Sequence, residues 1–268
     1  MSMKFYSIPI DKNILDAHIK FVKHNMTGLT PIYPKEMSRL KKYAKDNNIN
    51  LSILLSIRNQ LKIQTEIHRS RFVEQNKDKI IQIFNKLIKE NPKNLTIDKI
   101  MDFYSGLLYP PAAISKIISS TDSFKALDHS AKKNFFQIIK DINRIEQKSK
   151  ISSEKFEHTI EEFLSETHIK FQTEADIRKN QIYKVTPDIL FDQPVILNID
   201  GKNHPIRWLD AKNFVFLGEY VPSLYKKIVQ QAKKYNDVFG PGAFIFRYGF
   251  VSGVQIDGTY LLDGTQLA

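Results

Sequence analysis

The chain has 268 residues, enough for one large domain or two to three small ones, and its apolar content of 42% can fill a substantial core. It contains no cysteine, which excludes disulfide bonds, thiolate zinc sites and a cysteine nucleophile. The sequence has no apolar run of the roughly 18–20 residues that a membrane-spanning helix needs. Because its N-terminus also lacks a signal-peptide pattern, we expect an intracellular protein without a membrane partner.

The positive charge is concentrated in the first half of the chain. Residues 1–150 carry 27 Lys and Arg against 14 Asp and Glu, whereas residues 151–268 carry 13 against 15. The first half therefore has a net charge of +13 and the second half a net charge of −2. This asymmetry suggests a basic module for nucleic acid joined to a module of different chemistry. A lysine-rich composition imposed by an AT-rich genome is the alternative explanation.

The basic half shows helical periodicity. A helix is predicted over 35–46, and Asn50 can cap a long helix that runs from Leu51 past Phe72. An amphipathic helix is predicted over 79–90, with its apolar residues on one stripe. These patterns indicate an all-α region.

Two further helices are predicted over 97–104 and 112–120, with Gly106 in a tight turn between them. This layout is that of a helix-turn-helix motif, in which the last helix would lie in the major groove and expose Ser115 and Lys116. A plain helical bundle has the same periodicity, so both interpretations remain open. The residues predicted to bind nucleic acid are Ser115, Lys116, Arg69 and Arg71.

The composition changes near residue 150, where the stretch 149–153 resembles a domain boundary. We therefore predict helix-turn-helix-like domains over 1–74 and 75–150, followed by a small α/β domain over 151–268. Asp200-Gly201 is a strong signal for a hairpin turn within this last domain. Its predicted elements, after a first helix, are strands over 185–192, 194–200, 204–213 and 243–251 and a second helix over 221–236.

Two short acidic motifs lie on these strands. Pro187-Asp188 opens one strand, and Asp210-Ala211-Lys212 ends another 22 positions later. Residues i and i+2 of a strand point to the same face, so Asp210 and Lys212 project together. Mg²⁺ prefers one or two carboxylates with water and substrate oxygens, and it lowers the pKa of an attacking water. In this interpretation Asp188 and Asp210 hold Mg²⁺ or Mn²⁺, and Lys212 orients water or offsets developing charge.

Four sequence blocks follow one another along the chain: 184–188 (KVTPD), 206–212 (IRWLDAK), 239–242 (FGPG) and 248–250 (YGF). Together, in this order, they resemble the TPD-motif family. That family is assigned to the PD-(D/E)xK nuclease superfamily. The resemblance implies an α+β multi-domain protein, with an N-terminal all-α helix-turn-helix region followed by a restriction-endonuclease-like α/β nuclease domain. It also implies Asp188, Asp210 and Lys212 as the active-site core, although Asp-Ala-Lys stands where a family member has Glu-Ser-Lys.

The resemblance implies further site residues on two helices. The first helix of such domains supplies an acid, and Glu157 falls at the matching position as a catalytic residue and metal ligand. Glu161 and Glu162, one turn further on, are competing candidates for this acid. Glu161 shares a helix face with Glu157, whereas Glu162 is rotated away, so only one of these two can line a site together with Glu157. On the second helix, Gln231 and Tyr235 match a family Gln and Tyr at i, i+4 spacing. We expect Gln231 to be catalytic and Tyr235 to belong to the core.

The leading hypothesis is a Mg²⁺- or Mn²⁺-dependent nuclease that cuts DNA while its basic helical half binds the duplex. If the source is eukaryotic, the resemblance implies a codanin-like protein partner and a location in the nucleus, the cytoplasm or both. One alternative is a catalytically inactive nucleic-acid-binding or scaffold protein on a nuclease fold. Another is a transcription regulator that depends on the helix-turn-helix half. The substrate structure and the oligomeric state stay open.

Overall fold

The protein has a mixed α+β structure. None of the described helices combines the length and the apolar character that crossing a membrane requires. The computed structural model describes residues 2–5, 9–26, 32, 34–91, 95–107 and 109–267. Its helices are α1 (Lys12–Asn25), α2 (Pro34–Asp46), α3 (Leu51–Ser70), α4 (Lys77–Glu90), α5 (Ile97–Leu107), α6 (Pro111–Ser119), α7 (Asp122–Lys125), α8 (His129–Glu166), α9 (Glu174–Asn180) and α10 (Pro222–Phe239). Its strands are β1 (Ser2–Phe5), β2 (Phe171–Thr173), β3 (Ile189–Ile199), β4 (Lys202–Lys212), β5 (Gly242–Phe246) and β6 (Thr259–Asp263).

The chain divides into two compact units. We call the unit of residues Phe21–Leu51 and Arg58–Ser149 the helical unit. The sheet unit consists of Met1–Lys20, Ser52–Ile57 and Lys150–Ala268. The predicted domain limits at residues 74 and 150 stay predictions.

The stretch 149–153, predicted as a boundary, lies inside the continuous helix α8. That helix contains neither Gly nor Pro, so nothing in its sequence interrupts the backbone hydrogen bonds. The change in composition therefore falls within one helix.

Aromatic rings fill the core of the helical unit. Phe84 is fully buried, with its ring centroid 5.8 Å from Phe103, 6.2 Å from Phe124 and 5.7 Å from Phe135. Rings at these separations and tilts gain quadrupole contacts in addition to the burial of apolar area. Helices α4, α5, α7 and α8 are thereby held around one centre.

Two helix ends differ from the sequence prediction. Gly106 does not form a tight turn, because α5 continues through it to Leu107. The burial of the apolar face of α5 outweighs the cost of one helical glycine, which is about 1 kcal/mol. Helix α3 ends at Ser70 and does not extend past Phe72, and a short 3-10 helix over Glu74–Asn76 follows.

The sheet unit is organised by a mixed sheet of six strands in the described part of the chain. Its order is β1-β3-β4-β5-β6, with β2 also paired to β3. Strands β3 and β4 form an antiparallel hairpin, whereas β4, β5 and β6 run parallel. The hairpin turns at Asp200 and Gly201, whose φ values of 50° and 82° are those of a type I′ turn. The predicted hairpin is thus confirmed.

Strand β3 is continuous where two separate strands were predicted. Its register against β4 shifts between Leu190 and Val195, so the intervening residues form an irregularity that accommodates Pro194. The strand begins at Ile189, and Asp188 therefore lies immediately before it. Asp188 is therefore not part of the regular backbone pairing of the sheet.

Strand β5 ends at Phe246 and not at Val251, because the chain turns at Gly249, where φ is +79°. Strands β1 and β6 and helix α9 have no counterpart in the sequence prediction. Each is short, and the apolar run in β6 gives no alternation that would identify a strand by itself.

Helices cover both faces of the sheet. On one face, Phe156 and Leu164 of α8 pack with Leu209. On the other face, Ala232 of α10 packs with Trp208. Trp208 and Leu209 are successive residues of β4, and side chains alternate along a strand. Asp210 therefore faces α10, as Trp208 does, and Ala211 faces α8, as Leu209 does.

Gly106→Ala should raise the free energy of unfolding by about 0.5–1 kcal/mol, because a Cβ would meet nothing within 4 Å and alanine favours the helix. Urea unfolding would measure the change. The control is Gly242→Ala, whose Cβ would come within 2.1 Å of the Trp208 ring and should destabilise the protein by about 1–3 kcal/mol. A less stable Gly106→Ala protein would contradict the helical role of this residue.

Candidate active site

The two acidic motifs meet where β3 begins and β4 ends. Ile189 pairs with Leu209 across the hairpin, so Asp188 and Asp210 lie at the same end of this strand pair. The backbone N–H of Ala211 donates to Asp188 Oδ2 at 2.7 Å. This bond fixes one carboxylate against the strand that carries the other.

The Asp210 carboxylate is buried, with 2% of the residue exposed, and is held from several directions. Lys212 Nζ bonds to its Oδ1 atom. On the α10 side, Gln231 Nε2 lies 3.1 Å and Tyr235 Oη 3.0 Å from Oδ2. The Tyr235 hydroxyl is also 3.0 Å from the carbonyl oxygen of Thr186, within the TPD motif. The contacts leave the Asp210 side chain little freedom.

Tyr235 is both a core residue and part of this network. Its ring is buried and lies 5.0 Å from the Trp208 ring, as expected of a core residue. Its hydroxyl also contacts Asp210 and Gln231 Nε2, a role that we did not expect. Burial, followed by the charge of Asp210, raises the pKa of Tyr235. The i, i+4 spacing from Gln231 was the sequence signal for this pairing.

Negative charge at the site is only partly offset. Burial raises the pKa of Asp188 to about 8, and repulsion from Asp210 adds to this effect. The Lys212 charge and the hydrogen bond from Ala211 act in the opposite direction. The folded protein therefore holds a carboxylate pair that would be stabilised by a bound cation.

A cleft of about 340 Å³ opens beside Asp188 on the α8 side of the sheet. Burial raises the pKa of Glu157, and the charges of Glu174 and Asp210 raise it further. Glu162 points away, with 64% of its side chain exposed, and contacts His158. The acidic residues in the lining of the cleft are Glu157, Glu161, Glu174 and Asp188.

Glu174 is the acidic residue that the sequence analysis missed. It begins α9, and its backbone N–H donates to the carbonyl oxygen of Asp188 at 3.0 Å. Thr186 Oγ1 donates to Glu174 Oε1 at 3.1 Å. The capping box of Thr173 and Asp176, readable from their spacing, is the signal that would have located this helix start.

The acidic side chains of the site would suit a metal ion that takes few ligands from the protein. Within the described ranges, no three or more His, Asp and Glu side chains are arranged to hold a metal ion. In this structure Lys212 contacts Oδ1 of Asp210, and Gln231 and Tyr235 contact its Oδ2. Asp188 and Asp210 alone match the one or two carboxylates that Mg²⁺ takes from proteins. Their ligand roles, and that of Glu157, stay predictions.

The residues predicted to bind nucleic acid differ in their exposure. The Ser115 hydroxyl lies 2.6 Å from the hydroxyl of the buried Tyr104, and Ser115 is partly exposed on α6. Ser115 lies beside the buried stripe of that helix, which explains its inward contact. Lys116 and Arg71 are exposed and Arg69 is partly buried. Their role in binding stays a prediction.

Comparison with known proteins identifies the class of this α+β protein. The family described as "Protein of unknown function TPD sequence-motif" matches residues 126–264. The chain is 34% identical to "Uncharacterized protein L539" of Acanthamoeba polyphaga mimivirus, over 96% of this chain and 92% of the relative. The chain belongs to the TPD-motif family.

A second relative carries a functional name. "CDAN1-interacting nuclease 1" of Danio rerio is 31% identical over 111 residues, which are 40% of this chain and 34% of that protein. The similarity thus spans about a third of the length of this relative. No solved structure matches the chain.

Asp188→Asn should stabilise the metal-free protein. Because the pKa of Asp188 rises from 3.8 to about 8 on folding, its ionisation weakens the fold progressively as pH increases between these values. Asparagine keeps an acceptor for the Ala211 N–H but carries no charge. Urea unfolding in EDTA should show a gain of about 1 kcal/mol at pH 7.5 that shrinks towards pH 5.

The matched control is Asp192→Asn, which removes an exposed carboxylate from the same strand and should not give this pH-dependent gain. If the Asp188→Asn protein unfolds more easily than the parent at pH 7.5, the charge repulsion inferred at the site is absent.

Proposed function

We propose that the protein is a Mg²⁺- or Mn²⁺-dependent nuclease of the PD-(D/E)xK type that hydrolyses phosphodiester bonds of DNA. One observation carries the proposal: Asp188 and Asp210 lie together at adjacent strand ends, with Lys212 bound to Asp210. Two carboxylates can hold the metal ion that assists phosphodiester hydrolysis, and a lysine can offset the charge that develops on the phosphate. The name of the Danio rerio relative supports a nuclease.

Each residue of the site has a proposed role. Asp188 and Asp210 would hold the metal, which when bound polarises the phosphate and lowers the pKa of the attacking water. Lys212 would offset charge that develops on the phosphate. Gln231 positions Asp210 through its hydrogen bond to Oδ2. Glu157 lines the cleft from α8 and is proposed as the third acidic group of the site.

The two halves of the chain would have different roles, cleavage in residues 151–268 and DNA binding in residues 1–150. We assign residues 151–268 to a restriction-endonuclease-like domain, an assignment supported by a hairpin that carries the acidic motifs between helices on both sheet faces. The net charge of +13 in residues 1–150 supports binding of the DNA backbone by the basic half. We also propose an intracellular location and a partner related to CDAN1, with which the Danio rerio protein is named as interacting.

A second candidate function uses the same site without cleavage. Lys212 is bound to Asp210, and within the described ranges no set of three His, Asp or Glu side chains is arranged to hold a metal. Such a site is also compatible with a protein that binds nucleic acid on a nuclease fold but does not cut it.

Asp210→Asn and Lys212→Ala should each reduce Mn²⁺-dependent cleavage by at least about a hundredfold, because each removes a group that acts on the metal or on the reacting phosphate. DNA affinity should change little. Cleavage would be followed on duplex, branched and single-stranded DNA and on RNA, and affinity by anisotropy in EDTA. Asp192→Asn, on the same hairpin, serves as the control with parent activity.

Two results would count against the nuclease. Equal cleavage by the variants and the parent would place the reaction elsewhere. Salt-sensitive binding by the parent, with no cleavage of any substrate, would favour the second candidate.

A further inference from the structure

Arg247 follows β5 at the sheet edge that carries the candidate active site. Its backbone N–H donates to the carbonyl oxygen of Lys212 at 2.8 Å, and Phe246 is the register partner of Lys212. Alternation along β5 puts Arg247 on the α8 face with the buried Ile245. Arg247 is therefore one strand away from Lys212, on the face of the sheet that the cleft opens on.

The guanidinium of Arg247 is held by neutral groups. Its Nη1 atom donates to Ser152 Oγ at 3.0 Å, to the Ser152 carbonyl at 3.3 Å and to Asn213 Oδ1 at 3.1 Å. No carboxylate of a described residue lies within ion-pair distance of Arg247. The Nε atom is buried and finds no hydrogen-bond partner among the residues that the structure describes. Nothing described in the chain thus neutralises this cation.

The surroundings also fix the plane of the guanidinium. Its centre lies 5.5 Å from the ring centroid of Phe156 and 5.6 Å from that of Tyr248. A partly buried charge without an ionic partner is costly, and buried polar atoms left without a bond call for an explanation such as an ion. A planar, preoriented guanidinium matches the oxygens of a phosphate.

We propose that Arg247, together with Asn213 and Ser152, forms a subsite for a phosphodiester group of the nucleic acid. It binds a phosphate adjacent to the one at the carboxylate pair, and its guanidinium supplies the positive charge. Ser152 Oγ accepts from Arg247 and retains its own proton for donation. The assignment of the neighbouring reaction rests on the proposed nuclease function, but the subsite itself concerns binding alone.

The first test is the binding of a fluorescein-labelled DNA duplex in EDTA, measured by anisotropy over a series of salt concentrations. Arg247→Gln should weaken binding about tenfold at low salt and should reduce the slope of log K against log salt by about 1, the effect of one lost phosphate contact. The control is Arg207→Gln, which changes another partly exposed arginine of the sheet, one whose Nη1 donates to the carbonyl oxygen of Asp192. An equal change of slope in Arg207→Gln would overturn the proposal.

A second variant separates anion binding from a structural role. Asn213→Asp is isosteric and places a carboxylate at the position that now contacts Nη1, so the cation is neutralised without being removed. We expect urea unfolding to show parent stability or more, with DNA binding weakened and the salt slope reduced as in Arg247→Gln. Asn198→Asp, which adds the same charge near the hairpin turn at the other end of β3, should bind like the parent.

Parent-like slopes in both Arg247→Gln and Asn213→Asp would overturn the subsite, and so would a parent protein that binds no DNA in EDTA. If the parent cleaves DNA while these variants bind it normally, the subsite fails and the nuclease proposal stands. If the slope falls as expected but no substrate is cleaved, the subsite stands and the nuclease proposal fails.

Discussion

The hydrogen bond from the Ala211 N–H to the Asp188 carboxylate is the constraint on which the site depends. It joins the residue before β3 to the end of β4, where the regular ladder has stopped. It fixes the Asp188 carboxylate beside Asp210, while the contacts of Thr186 with Tyr235 and of the Asp188 carbonyl with Glu174 hold the backbone of the segment 186–188. The bond also helps to hold two carboxylates together in the folded chain, although burial and mutual repulsion raise the pKa of Asp188. The close carboxylates that the candidate site needs thus lower the stability of the fold, a conflict that is common at functional sites.

Side chains alternate along β4, so one face of this sheet edge lies against α10 and the other against α8. Asp210 faces α10, where Gln231 and Tyr235 hold its carboxylate in one orientation. The α8 side instead presents Glu157 and the Arg247 guanidinium. One sheet edge therefore has a side where Asp210 is held by α10 and a side that carries both the acidic cleft and the Arg247 guanidinium. Helix α8 can serve the second side because it continues without a break through residues 149–153.

Local signals predicted part of this arrangement. The Asp200-Gly201 turn required positive φ values, and strand alternation put Asp210 and Lys212 on one face. The spacing of Gln231 and Tyr235 brought both to Asp210. The sequence analysis missed Glu174 because its place at the site depends on contacts between distant residues. Glu174 reaches the site through the short helix α9, which packs beside Asp188. Ser115 turned inward because Tyr104, eleven residues earlier, offered a buried hydroxyl. Such partners cannot be read from periodicity.

The two cations at this edge differ in a way that bears on nucleic-acid binding. Lys212 is bound to Asp210 and so offsets charge already present in the protein. Arg247 is held by a serine and an amide, which orient its guanidinium but leave its charge uncompensated. An arginine that served only to tie β5 to α8 would be stabilised by a carboxylate partner, and Asn213 occupies the place where one would fit. The choice of an amide there favours a polyanion, and not the protein itself, as the source of the missing negative charge.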